Sequence, residues 1–252
     1  MTDRATDQIG ESAAARLHDI VAFARDRGGN RPIRDVWAET FRIRVTDIGA
    51  LLAAIAALIE LTAKAKDEIQ GLDGVDTSLM LQPIAQVEAA LSRTNLEANW
   101  DNFKSSLDDK TMYGLRLCAD MTARRSAVRS IDHKEIETLL EAVETLQGEL
   151  LEAQLPADLK EYLSAELAKI REALILYRIR GTAGLENVLR RIAGGWLYEG
   201  SQLKQVASDT LAQNYLHRFS RIVISLEKMV SIAKGLKELV APVIAKFLPS
   251  GD

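Results

Sequence analysis

The sequence has 252 residues, enough for one sizeable core or for two small helical ones. Hydrophobic residues make up 47% and charged residues 27%, a balance that excludes a disordered chain. The formal net charge of −4 lacks the broad positive field that nucleic-acid binding uses, and the single cysteine, Cys118, excludes an intrachain disulfide scaffold and a cysteine zinc cluster.

Met1 to Ser12 is polar and acidic, with no apolar core for a signal peptide, so the cytoplasm is the expected compartment. Ser12 to Arg27 reads as a first helix with Leu17, Ile20, Val21 and Ala24 on one side. The run from Gly28 to Pro32 breaks it, and a short helix carrying Val36, Trp37 and Phe41 follows. Thr46 and Asp47 are suitable caps for a helix over Ile48 to Ile69. There Ile48, Leu52, Ile55, Ile59, Thr62 and Ile69 form one stripe, and Leu51, Leu58 and Ala65 a neighbouring one, with alanines between. That pattern predicts a central helix packed on several sides. Its uncharged stretch, Ile48 to Ile59, covers about 18 Å against roughly 30 Å of hydrocarbon, which favours a core helix over a membrane span.

Ser78 to Leu91 reads as a helix with Pro83 in or near its first turn. The less regular stretch Asn95 to Asn102 is a candidate linker, so a single domain over residues 1–252 has its possible subdivision near 95–105. Helix resumes through Met112, Leu115, Leu117 and Met121, up to Arg124, Arg125 and Arg129.

The clearest pattern is a helical hairpin. Ile136, Leu139, Leu140, Val143, Leu146 and Leu150 recur at spacings of three and four, and Leu159, Leu163, Leu167, Ile170, Leu174 and Tyr177 do so after the break at Leu155-Pro156. The short connection predicts antiparallel neighbours. Gly181 and Gly184 punctuate the next turn, Leu185 to Ile192 makes a short helix, and Gly194-Gly195 ends it. Last, Ile222, Leu226, Met229, Ala233, Leu236, Val240, Val243 and Phe247 alternate by four and three, a coiled-coil seam interrupted at Pro242. The expected architecture is all-α: an elongated multi-helix bundle with a long antiparallel hairpin and a long C-terminal helix.

Chemistry is hard to find in this pattern. His18, His133 and His217 have no second ligand at metal spacing, and Cys118 has arginines nearby but no base. Neither a phosphate loop nor a nucleophile elbow is present. No catalytic residue, metal, cofactor or small-molecule ligand is assigned. Two segments suggest contact with a partner instead. Arg178 and Arg180 either complement a helix C-terminus capped by Gly181 or hold acidic groups of a partner. In the Ser225 to Leu248 helix, Lys228, Lys234, Lys237 and Lys246 interrupt apolar surface as an interfacial membrane helix does, while the seam with Leu236, Val243 and Phe247 favours a protein partner or another copy.

Leu155-Pro156-Ala157-Asp158-Leu159, Ile170-Arg171-Glu172-Ala173, the Tyr177 to Leu185 segment, the Leu91 to Trp100 stretch and the lysine-bearing C-terminus together resemble a group of uncharacterised bacterial helical proteins. The resemblance spans most of the chain. It implies a bacterial, single-module, all-helical protein and transfers no functional residue. The expected function is non-enzymatic: protein-protein interaction or assembly, as an adaptor or as part of a bacterial defence, toxin or immunity system. The alternative is a membrane-associating or pore-forming helical protein.

Overall fold

The computed structural model describes residues 11–27, 29–74, 76–92, 95–123, 131–206, 210–235, 240 and 243, with the backbone alone over 199–206. Helix occupies 82% of the structure and the described residues contain no strand, which establishes the all-α class. The chain divides into two compact units, Met1–Ser130 with Arg178–Gly181, and Ile131–Tyr177 with Thr182–Asp252.

The first unit holds α1 (Ala13–Asp26), α2 (Ile33–Phe41), α3 (Ile48–Gln70), α4 (Ser78–Ser92), α5 (Trp100–Lys104) and α6 (Asp109–Ala123). Caps fix where these helices begin. The Ser12 side chain accepts from the Ala15 N–H, and Asp47 accepts from the Ala50 N–H, as its position ahead of the apolar run predicts. Glu68 of α3 accepts the free N–H groups of Ala13 at 2.8 Å and Ala14 at 3.1 Å, which ties the start of α1 to the end of α3. Helix α1 packs on α3 and α6, and α4 packs on the same two.

Two expectations change here. The division does not fall near 95–105, because that stretch is bound into the first unit. Ile33 donates its N–H to Ala98 O at 2.9 Å, Arg34 to Leu96 O at 3.0 Å, and Trp100 to Arg31 O at 2.9 Å. Trp100 is fully buried and meets Trp37 edge-on at 5.5 Å and Phe103 in a stack at 5.0 Å. Nor is α3 packed on several sides. Leu51, Ala54, Leu58, Leu61, Ala65 and Ile69 are buried, together with Ile55 and Thr62, while Ile48, Leu52 and Ile59 are exposed. Its neighbours cover one face only.

Helices α4 and α6 approach closely at Gly114, where an added Cβ would lie 2.8 Å from Pro83 Cγ. Gly114→Ala is therefore expected to destabilise the first unit by about 1–3 kcal/mol through overpacking. Gly148, inside a helix of the second unit, has open space around its Cβ position. Gly148→Ala is expected to stabilise by about 0.5–1 kcal/mol, since alanine loses less chain entropy. Urea midpoints shifting in opposite directions would check both.

The second unit holds α7 (His133–Glu152), α8 (Ala157–Ile175), the part of α9 (Tyr177–Val206) that follows the non-helical Gly181, where α9 is kinked, and α10 (Thr210–Lys234). Asp132 caps α7 by accepting from the Lys134 N–H. Lys160 donates to Leu151 O at 2.8 Å, and Arg171 pairs with Glu144 at 3.0 Å. Contacts that descend along α7 as they ascend along α8 make the two antiparallel. Their leucine faces join Leu185, Leu189, Ile192, Trp196, Phe219 and Val223 in one buried cluster. Tyr177 closes its edge, with its hydroxyl accepting from the Ile131 N–H at 2.8 Å.

The expected stop at Gly194-Gly195 does not occur, and α9 continues through both glycines. Leu185, Leu189, Ile192 and the fully buried Trp196 keep helical spacing across the pair. Burying these side chains outweighs the helix cost of two glycines, about 1 kcal/mol each. Of the expected Ser225 to Leu248 helix, residues 225–234 are helical, and beyond Gly235 all but Val240 and Val243 lie outside the described residues. Helix α10 begins at Thr210, ends at Lys234, and is followed by Gly235 in a left-handed conformation at φ 64°. Val240 then donates its N–H to the buried Glu227 carboxylate. A continuous helix would put those residues about 20 Å apart, so no unbroken helix joins Glu227 to Val240.

Candidate functional site

An open groove of about 760 Å³ lies between α7 and α10. Its floor is apolar, with Leu139 and Leu146 from α7 and Ile222 and Met229 from α10, and the exposed Ile232 stands at its rim. Along α7 the wall consists of Lys134, Glu135, Thr138, Ala142 and Thr145, and along α10 of Arg218, Arg221, Ser225 and Lys228. Helical periodicity places them so: each set returns every three or four residues, just outside the positions that face the core. The α7 wall runs for about 17 Å and the α10 side, from Arg218 to Ile232, for about 21 Å, three to four helical turns each.

Arg218 is anchored. Its guanidinium grips the Glu149 carboxylate with both ends, Nη2 to Oε1 at 2.8 Å and Nη1 to Oε2. That hydrogen bonding holds the Glu149 carboxyl below the usual carboxylate range. Arg221, Lys228 and Lys134 differ: among the described residues none of their side chains pairs with a carboxylate. Among the described residues the groove thus carries three unpaired cations against one unpaired carboxylate, Glu135, around an apolar floor, in a chain whose net charge is negative. Such a lining attracts an acidic, amphipathic occupant.

The residues singled out from sequence lie elsewhere. Arg178 donates to Thr40 O at 3.2 Å and lies over the Phe23 ring at 5.2 Å, so its guanidinium is engaged within the first unit. Arg180, half-buried, belongs to that same short segment. Val243 is partly buried against the core of the second unit, and Leu236 and Phe247 lie outside the described residues. So do Arg124, Arg125 and Arg129. None of these comes together with the groove. The signal for the groove was nonetheless present: Arg218, Arg221, Ser225, Lys228 and Ile232 repeat at three-four-three-four spacing beside the apolar seam.

Lys234 does not face outward alone. It bonds the buried Glu186 carboxylate, which Arg190 also reaches through Nε at 3.0 Å. The hydrogen bonds from Lys234 and then Arg190 hold the Glu186 carboxyl below its usual range. A carboxyl depressed on folding contributes stability that is fully present above the ordinary glutamate value, near 4.3, and is lost as pH falls through the lowered folded value. The second unit is therefore expected to weaken below about pH 4, with Glu186→Gln less stable at neutral pH and flatter in its acid response. Thermal melts from pH 7 to pH 3 measure both.

Cys118 is fully buried, its thiol bonded to Met80 O at 3.3 Å and its pKa pushed up by burial to about 11. That is the setting of an unreactive thiol. His18 bonds Asp19 at 2.9 Å and His133 lies 3.6 Å from Glu137. No cluster of three metal-ligating side chains is found among the described residues. Helix α3 is long and apolar enough to cross a membrane, with mean hydropathy 1.8 over an 18-residue window, but 44% of that window is buried inside the protein. Comparison with protein families, with curated proteins and with solved structures finds no match for this chain.

Proposed function

We propose that this protein works in the cytoplasm by binding another protein, without catalysis, and that the α7–α10 groove receives an amphipathic helix with acidic flanks. One observation carries the reading: an apolar floor about two helical turns long, bordered by the unpaired cations Lys134, Arg221 and Lys228. A helix laid in a groove uses apolar side chains at i, i+3, i+4 and i+7 to fill the floor, and its flanks meet the rim. The anchored Arg218 adds a fixed donor whose orientation Glu149 sets, so less side-chain entropy is lost on binding.

Photo-crosslinking in the producing cells tests this. A photoreactive residue at the exposed Thr138 is expected to form a discrete adduct with a protein bearing an acidic amphipathic helix. The adduct should disappear in Arg221→Glu/Lys228→Glu. Absence of any adduct, or one indifferent to the charge reversal, would refute the groove as the binding site.

A further inference from the structure

A second surface, on the first unit, is independent of the groove. Val45 and then Ile48, Leu52, Ala56, Ile59 and Ala63 of α3 are all exposed, with Val45, Ile48, Leu52 and Ile59 at 40%, 44%, 52% and 37%. At about 100° per residue the five helical members fall within an arc of about 80°, so they form one continuous stripe. Scattered exposed apolar residues are ordinary on protein surfaces, but a contiguous seam along one helix is not. The stripe has opposite charges at its two ends. Arg44 lies just ahead of the helix, and Asp67 continues the stripe at the other end. Both are exposed, and neither side chain has an ion-pair partner among the described residues.

We propose that α3 is the interface of a two-fold symmetric homodimer, with a second copy of the chain lying antiparallel along this stripe. A two-fold interface must be self-complementary, each element meeting its own reverse. This stripe meets that condition. Setting Arg44 against the partner's Asp67 places Ile48 opposite the partner's Ala63 and Leu52 opposite the partner's Ile59. Large side chains then meet large ones near the centre, and a large one meets a small one toward each end. The opposite charges close both ends of the seam, whereas a parallel arrangement would set like against like. Ala56 lies near the two-fold axis, where a small side chain lets the helices approach. A single pair of helices is a small interface, so the dimer forms reversibly with concentration.

Sedimentation velocity on the full chain over the order of 1 to 100 micromolar tests the proposal. The mass is expected to rise from 27.8 kDa toward twice that value. Leu52→Glu should hold it at the single-chain mass throughout, with an unchanged circular dichroism spectrum because Leu52 is half exposed. Arg44→Asp should weaken association by roughly tenfold, through two charge pairs per dimer, and adding Asp67→Arg should restore it. That restoration does not depend on how Leu52→Glu folds. A wild-type protein monomeric at every concentration would overturn the proposal. So would a dimer indifferent to both Leu52→Glu and the charge exchange, or a monomer whose stripe instead drives sedimentation with anionic phospholipid vesicles.

Discussion

Replacing Gly181 by alanine is expected to lower the stability of the first unit by about 3 kcal/mol. Gly181 has φ 62° and ψ −165°, a region open to glycine and strained for any residue with a Cβ. The strain is compounded by crowding, because an added Cβ would lie 2.7 Å from Arg16 Nη1 and 3.0 Å from its Cζ. Arg16 cannot easily yield. It is buried, its Nε donates to Ile179 O at 3.0 Å, and its Nη1 donates to the Glu11 carbonyl. A double-mutant cycle separates the two contributions. In an Arg16→Ala background the closest contacts are gone, leaving the Glu11 carboxylate at 3.1 Å, and a penalty of about 1–2 kcal/mol, mostly from the backbone, should remain. Unfolding is followed in a Trp196→Phe background, where the remaining tryptophans, Trp37 and Trp100, both report on the first unit. An unchanged urea midpoint would contradict the backbone conformation described for Gly181.

Trp100→Ala should cost about 3–5 kcal/mol in the same unit, as large-to-small changes of buried aromatics do. The residue is fully buried against Trp37 and Phe103, and Trp37 also stacks on Phe41 at 5.5 Å, so four rings share one cluster. Its indole N–H has no acceptor among the described residues. Trp100→Phe therefore removes an unsatisfied donor along with some volume, and its expected cost is only about 1 kcal/mol. Chemical denaturation of the two variants should show this ordering. Equal losses would mean that the indole nitrogen, and not ring packing, secures the α2–α5 corner.

The helices were legible in the sequence wherever one apolar face repeats without interruption. The α7–α8 hairpin is the clearest case, since Ile136 to Leu150 and Leu159 to Leu174 keep their spacing and Pro156 marks the turn. Signals failed where local propensity and packing disagree. Gly194-Gly195 argues for a break, yet Trp196 and Phe219 stack at 6.5 Å and hold α9 continuous. At the C-terminus the four-three seam extends past Gly235, and only the left-handed conformation there, with the Glu227 to Val240 bond, reveals that the helix is broken. The exposed side of α3 was misread because alanine and isoleucine pack equally well inside or along an uncovered seam. For the groove, the basic stripe on α10 was present in the sequence, but its pairing with the small residues of α7 is a tertiary fact.

The groove's preference for an acidic helix is measured by a fluorescence-anisotropy titration with a synthetic 14-residue amphipathic helix, leucines along one face and glutamates along both flanks. Saturable binding to the wild-type protein, weakening as salt rises, is expected. Both Arg221→Glu/Lys228→Glu and a lysine-flanked version of the peptide should reduce it by roughly tenfold or more. Equal affinity for the acidic and basic peptides, or binding untouched by the charge reversal on α10, would contradict the groove as a receptor for an acidic helix.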